Sequence, residues 1–235
     1  MKKVLHKAAT RGSANHGWLK SYHTFSFANY QDSERMNFGM LRVLNDDIVQ
    51  PKMGFGEHPH RNMEIISIPI LGALSHKDSM GNKRSIEVGE VQVMSAGTGV
   101  THSEFNDSTT DAVHFLQLWI LTESENITPV YDQKFFDEAG RKNKFQTLVS
   151  PKSKKVEGSL TINQQGSLSM IDLDSDFEID YQLKNGAYFF LIDGEVSIEE
   201  ISLGKRDAVG ISEVEKVSIK ATKKSKLLII DVPMS

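Results

Sequence analysis

The stretch Gly89-Glu90-Val91-Gln92-Val93-Met94-Ser95-Ala96-Gly97-Thr98-Gly99-Val100-Thr101-His102-Ser103-Glu104, with His58-Pro59-His60 upstream of it, decides how this chain is read. In an extended strand, side chains two apart point to the same face. His58 and His60 therefore project together, and so do His102 and Glu104. Two such strands brought together present three imidazoles and a carboxylate to one point, a ligand set suited to Fe, Ni, Cu, Mn or Zn. Gly97 and Gly99 permit the positive φ of a turn that delivers His102 there. A lone His-x-His often arises by chance. Its joint occurrence with His-x-Glu inside β patterning is much less easily accidental. All eight histidines lie between His6 and His114, which places any imidazole chemistry in one half of the chain.

Outward from this stretch, short runs rich in Val, Ile, Phe and Leu alternate with Gly, Asn and Asp, the pattern of an all-β sandwich or barrel. Strands are expected at 41–49, 63–71, 73–78, 83–88, 91–95, 100–105 and 113–121, with Met80-Gly81-Asn82 as a hairpin turn and reversals at Gly72 and Gly89. Residues 126–144 break the pattern with Pro129, a segment at 135–139 able to form a helical turn or two, and polar residues. They read as a link between two halves, 1–125 and 145–235. Beyond an exposed loop at 150–158, strand-like runs resume at 160–163, 168–173, 177–183, 188–192, 196–201, 208–211, 216–221 and 227–232. Ile192-Asp193-Gly194 echoes Ile70-Leu71-Gly72, and Leu203-Gly204 before Asp207-Ala208-Val209 echoes Val88-Gly89-Glu90-Val91. This is either a weak internal repeat whose second copy has lost every histidine, or unrelated strands with ordinary turns.

Composition narrows the function. A net charge of −4 over 235 residues supplies no basic field for phosphate backbones, so direct nucleic-acid binding is not expected. The Lys-rich run 220–226 is short and reads as a solvated turn. The absence of cysteine removes disulfides and thiolate metal sites and suits a reducing cytosol. The first residues lack an apolar core and a cleavage pattern, and no apolar run is long enough to cross a bilayer. A cytoplasmic protein without membrane contact is the expectation. There is no P-loop, dinucleotide fingerprint or serine elbow.

Glu64 competes with Glu104 as the fourth ligand, because positions 58, 60 and 64 share parity. A regular strand places it about 13 Å from His60, at roughly 3.3 Å per residue, so it would need a bend. Glu104 needs none and is favoured. Four protein ligands leave open positions on a six-coordinate ion, as a catalytic rather than a closed site requires. Bland readings suit the other histidines. His23 aligns with Phe25 and Phe27 as a buried, hydrogen-bonded residue, His76 is either exposed or in contact behind a ligand, and His114 could face the cavity.

At these residues the chain resembles the pirin family of the cupin superfamily, most closely its bacterial members with quercetin 2,3-dioxygenase activity. The resemblance rests on His58-Pro59-His60-Arg61, on Gly89 to Gly99 and on His102-Ser103-Glu104. It rests also on Asn15-His16-Gly17-Trp18-Leu19, on His23 to Tyr30 and on Leu41 to Asp47. It implies a bicupin of two face-to-face antiparallel β-barrels, the first metallated and the second degenerate, whose last strands could cross between domains. It further implies one divalent ion, Fe(II) before Ni, Cu, Mn or Zn, held by His58, His60, His102 and Glu104. Asn62 departs from the family, where glycine is frequent, and puts substrate preference in doubt more than metal binding.

The implied reaction is oxidative opening of a flavonol ring by O₂, releasing carbon monoxide and a depside, with Glu104 as general base or as a ligand only. The implied partners are a small aromatic enol and O₂. A non-enzymatic, metal-containing co-regulator that binds proteins and a cupin isomerase are the alternatives, and nothing in the sequence requires a protein partner.

Overall fold

The computed structural model describes residues 1–235. Its first strands are β1 (Lys2–His6), β2 (Gly12–Asn15), β3 (Leu19–His23), β4 (Leu41–Val49), β5 (Gly54–His60), β6 (Met63–Leu71), β7 (Ala73–Asp78) and β8 (Lys83–Glu87). Then come β9 (Glu90–Ser95), β10 (Val100–Phe105), β11 (Val113–Leu121), β12 (Val130–Phe135), β13 (Gln146–Pro151), β14 (Leu160–Ile162) and β15 (Ser167–Leu173). The last are β16 (Glu178–Gln182), β17 (Gly186–Asp193), β18 (Glu195–Ile198), β19 (Ile201–Gly204), β20 (Ala208–Ser212), β21 (Lys216–Ala221) and β22 (Ser225–Val232).

Four sheets result. The seven-stranded sheet β12-β9-β6-β11-β4-β3-β2 packs on the four-stranded β5-β10-β7-β8, and β1-β20-β17-β22-β15-β13-β14 packs on β16-β21-β18-β19. Each half is thus an open jelly-roll sandwich rather than the closed barrel expected, and β13 pairs with β14 in parallel. Strands β4 to β11 match β15 to β22 one for one in sheet position. The echo in the sequence therefore marks a topological repeat: Gly72 and Gly194, at φ 73° and 98°, turn the chain after the equivalent strands β6 and β17.

The two large sheets pack against each other. Leu116, Leu118 and Ile120 of β11 share one apolar core with Ile66 and Ile68 of β6 and with Tyr188, Phe190, Leu228 and Ile230 of the second half. Strand alternation then turns Gln117 and Trp119 of β11 into the first sandwich. Sheets covered on both faces need near-continuous apolar strands, which is why β6, β11 and β22 were legible. The interior of the second sandwich is a cluster of 16 buried apolar residues. On β21 the buried positions are Val217, Ile219 and Ala221, where β10 buries Val100, His102 and Glu104. This interior is sealed by hydrocarbon.

Three features depart from the expected organisation. Residues 126–144 contain β12, which extends the first large sheet by pairing with β9. The strand that crosses between halves is β1, paired with β20 from Lys2↔Ser212 to His6↔Ala208, rather than one of the last strands. Strand β5 starts at Gly54, ahead of the extended His58-Pro59-His60 expected, because Gly-Phe-Gly-Glu has little β propensity. It lies at a sheet edge, where proline's missing N–H costs no ladder bond.

Candidate metal centre

Strand β10 runs between β5 and β7, so His102 faces His58 on one side and Asp78 on the other. After β5 the chain reverses at Asn62, whose φ is 50°. Its backbone N–H donates to Gly97 O at 3.0 Å, and its Oδ1 accepts from the Asn126 N–H at 2.7 Å. Glycine and asparagine are the residues that tolerate this left-handed conformation, which accounts for the departure noted at this position. The reversal also cancels the shared parity of 58, 60 and 64. Glu64 is buried on the other face of its sheet, accepting from Ser95 Oγ at 2.5 Å and away from the histidines.

The imidazoles of His58, His60 and His102 converge. Their ring centroids lie 4.5 Å (58–102), 4.9 Å (58–60) and 4.9 Å (60–102) apart, and one nitrogen from each falls within 4.8 Å of the others. His58 donates its Nδ1–H to Gly56 O at 2.8 Å, which leaves Nε2 with its lone pair for an ion. His60 rests edge-on against Trp119 at 4.9 Å. Burial, reinforced by the neighbouring imidazoles, pushes His60 down to about 4 and His102 down to about 2. Both are therefore neutral at physiological pH, the form that ligates. His102 Nε2 is buried and has no hydrogen-bond partner.

Glu104 is fully buried, and burial raises its carboxyl above the usual range against the opposing pull of nearby imidazoles and of its donors Gln117 and Ser67. Gln117 Nε2 donates to Oε2 at 2.9 Å and Ser67 Oγ to Oε1 at 3.3 Å. It groups within 4.8 Å with His102 and His76 rather than with all three converging histidines. Three converging imidazoles, an orphaned buried nitrogen and an adjacent carboxylate fit a divalent cation.

His58, His60 and Glu104 line a cavity of about 230 Å³. Phe27, Phe55 and Trp119 supply apolar wall, and Asn45, Asp47 and Gln117 supply polar wall. These polar residues were missed, although Asn45 and Asp47 stand two apart inside an apolar strand, the same signal as His-x-His. The cavity also takes in His23, buried and 3.0 Å from Asn45 Oδ1 through Nδ1, as expected. Of the two readings of His76, contact behind His102 is the one the structure shows: it is buried, because Leu74, His76 and Asp78 form the inward face of β7. One other histidine differs from expectation. His114 faces away from the cavity and meets Asp46 Oδ1 at 2.6 Å, since it shares parity with Leu116.

Asp47 is a buried carboxyl group pushed up to about 7, by burial first and then by Glu104 and Asp46, against the hydrogen bond from Ser21. A carboxyl group whose folded value is raised stabilises the fold fully below the ordinary carboxylate range and loses that contribution as pH rises through 7. From 3.8 to about 7, at roughly 1.4 kcal/mol per unit, this amounts to about 4 kcal/mol at most. Asp47→Asn is expected to flatten this part of the stability profile of the metal-free protein in urea titrations. An unchanged profile between pH ~4 and ~7 would contradict the assignment.

Two jelly-roll sandwiches packed through their large sheets, one with a histidine-lined interior and one sealed, define a two-domain cupin. The sequence profile of the Pirin family matches residues 4–120, and that of the quercetinase C-terminal cupin domain matches 147–232. The chain belongs to the pirin family. It is 42% identical over 231 residues to a quercetin 2,3-dioxygenase from Escherichia coli, covering 97% of this chain and 98% of that one. The crystal structure of YhhW from Escherichia coli superposes with a TM-score of 0.95 at 41% identity, covering 100% of this chain and 99% of that one. The structure of the bacterial pirin YhhW in complex with nickel(II) gives 0.94 at 40% identity, with all of both chains covered. No helix is long and apolar enough to cross a membrane.

Proposed function

We propose that this protein is a metal-dependent dioxygenase that opens the central ring of a flavonol such as quercetin with O₂, releasing carbon monoxide and a depside. The observation that carries the reading is the convergence of three imidazoles, one of them next to a buried carboxylate, beside an aromatic-walled cavity. The name of the Escherichia coli relative and the nickel(II) complex of YhhW support it. His58, His60, His102 and Glu104 would hold the ion, Fe(II) or another divalent metal such as Ni(II). When bound, it supplies Lewis acidity toward the substrate's enol oxygen and access for O₂.

The remaining work belongs to side chains of this chain. Phe27, Phe55 and Trp119 favour a flat aromatic substrate and keep bulk water out of the cavity. Glu104 accepts the proton of the substrate's enol hydroxyl, a task that the proton affinity raised by its burial favours. Gln117 and Ser67 hold the carboxyl group in place through the transfer.

The protein loaded with Fe(II) or Ni(II) is expected to consume O₂ and to bleach quercetin in step, as read with an oxygen electrode and by absorbance. His58→Ala is expected to lower turnover by roughly 100-fold or more, since it removes a ligand. Turnover that survives chelation, or full activity in His58→Ala, would refute the proposal.

A further inference from the structure

The hairpin turn after β7 is tied to the candidate metal centre by two buried side chains that the four-ligand set does not use. Asp78 Oδ1 accepts the backbone N–H groups of Met80 and Asn82 at 2.9 and 3.0 Å and Asn82 Nδ2 at 3.1 Å. Asp78 Oδ2 accepts from Asn82 Nδ2 at 2.8 Å and lies 3.0 Å from His76 Nε2. On the far side of the same ring, His76 Nδ1 lies 3.4 Å from His102 Nδ1. The side chains of His76 and Asp78 are both fully buried, and the His76 ring rests on Tyr131 at 4.8 Å.

Donor and acceptor rules give this chain a direction. An ionised carboxylate only accepts, so the proton of a neutral His76 sits on Nε2, and its Nδ1 offers a lone pair. His102 then donates from Nδ1, which leaves the lone pair on Nε2, the buried nitrogen without a partner. We propose that His76 and Asp78 are positioning residues that lock His102 in the tautomer able to bind a metal ion through Nε2, with the 79–82 turn as their anchor. The proposal rests on the reading of His102 as a ligand. His76, His102 and Glu104 also lie close enough to form a metal set of their own. Against His76 as a ligand, its Nε2 is engaged by Asp78 and its Nδ1 is turned toward His102, so neither nitrogen is free.

Asp78→Asn makes the sharpest test. The amide has one oxygen, and the two backbone N–H groups of the turn claim it. Its NH₂ then faces His76 Nε2, which must accept, so the His76 proton moves to Nδ1 and the His102 proton to Nε2. The experiment is a double-mutant cycle of wild type, Asp78→Asn, His76→Phe and the double variant. Nickel(II) affinity is read by competition with a chelator at neutral pH. Each single change is expected to weaken binding ~10–100-fold, the usual cost of losing an outer partner of a ligating histidine. The double variant is expected to bind no more weakly than the weaker single, because Asp78 acts only through His76.

Histidine nitrogen NMR of the metal-free protein is expected to show His102 protonated on Nδ1 in the wild type and on Nε2 in Asp78→Asn, a change that loosening of the turn would not produce. His76→Gln replaces His76→Phe in the cycle should the latter not fold. Effects that multiply, or an Asp78→Asn affinity within about threefold of wild type, would overturn the proposal. Nickel binding kept in His58→Ala and lost in His76→Phe would overturn it too, by placing the ion in the deeper set. A wild-type protein that takes up no nickel(II) would instead remove His102 as a ligand, and the relay with it.

Discussion

Replacing His102 with leucine is expected to abolish metal binding while leaving the metal-free fold about as stable as before. His102 is 1% exposed, and its Nε2 has no partner. An unsatisfied buried polar atom costs roughly 1–3 kcal/mol, which leucine recovers by filling the site with hydrocarbon. Against this stands the loss of the contact with His76 Nδ1, itself worth about 1 kcal/mol. The two offset, so the midpoint of urea unfolding without metal should move little. Nickel(II) affinity should fall by more than ~100-fold, beyond the cost of losing an outer partner alone. A drop of several kcal/mol in the metal-free protein, with affinity retained, would make His102 a core residue and not a ligand.

The second large effect separates two buried glutamates with similar surroundings. Glu104 and Glu64 are both raised by burial, and each accepts from a serine hydroxyl. Glu104→Gln is expected to lower quercetin turnover by roughly 100- to 10,000-fold, the range for loss of a general base, and to weaken metal binding as well. Glu64→Gln is expected to leave turnover within about twofold, because its side chain lies on the opposite face of the large sheet from the cavity. The comparison needs only steady-state rates on metal-loaded protein and metal titrations of the two variants. Equal losses in both would mean that the carboxylates share the site. Loss only in Glu64→Gln would reverse the assignment.

How far the sequence carried each conclusion follows from the range of the forces involved. The central strands β4, β6, β7, β10 and β11 coincide with the expected runs, because β4, β6 and β11 are long and largely apolar and the shorter β7 and β10 alternate between turn residues. Strands β1 and β12, and β5 ahead of His58, were not legible. They lie at sheet edges, where neither burial nor propensity marks them. In the site, His58, His60 and His102 could be picked out together because alternation is a local rule. The cavity's Asn45, Asp47 and Gln117 were not, although Asn45 and Asp47 obey that rule, because amide and carboxylate side chains do not announce ligation as paired histidines do.

The amino-acid order by itself determined the all-β class and the set of histidines able to converge, since a period of two and a turn residue are properties of a few neighbouring positions, while the repeat of two halves was settled by the matching sheet positions. Only the tertiary structure decided which face of each strand looks inward. The left-handed turn at Asn62 sent Glu64 away from the histidines, the packing of the two large sheets turned His114 toward Asp46, and the fold of β7 against β10 buried His76 behind His102. A strand's two faces are equivalent until another sheet covers one of them, and that covering depends on contacts between residues far apart in the chain.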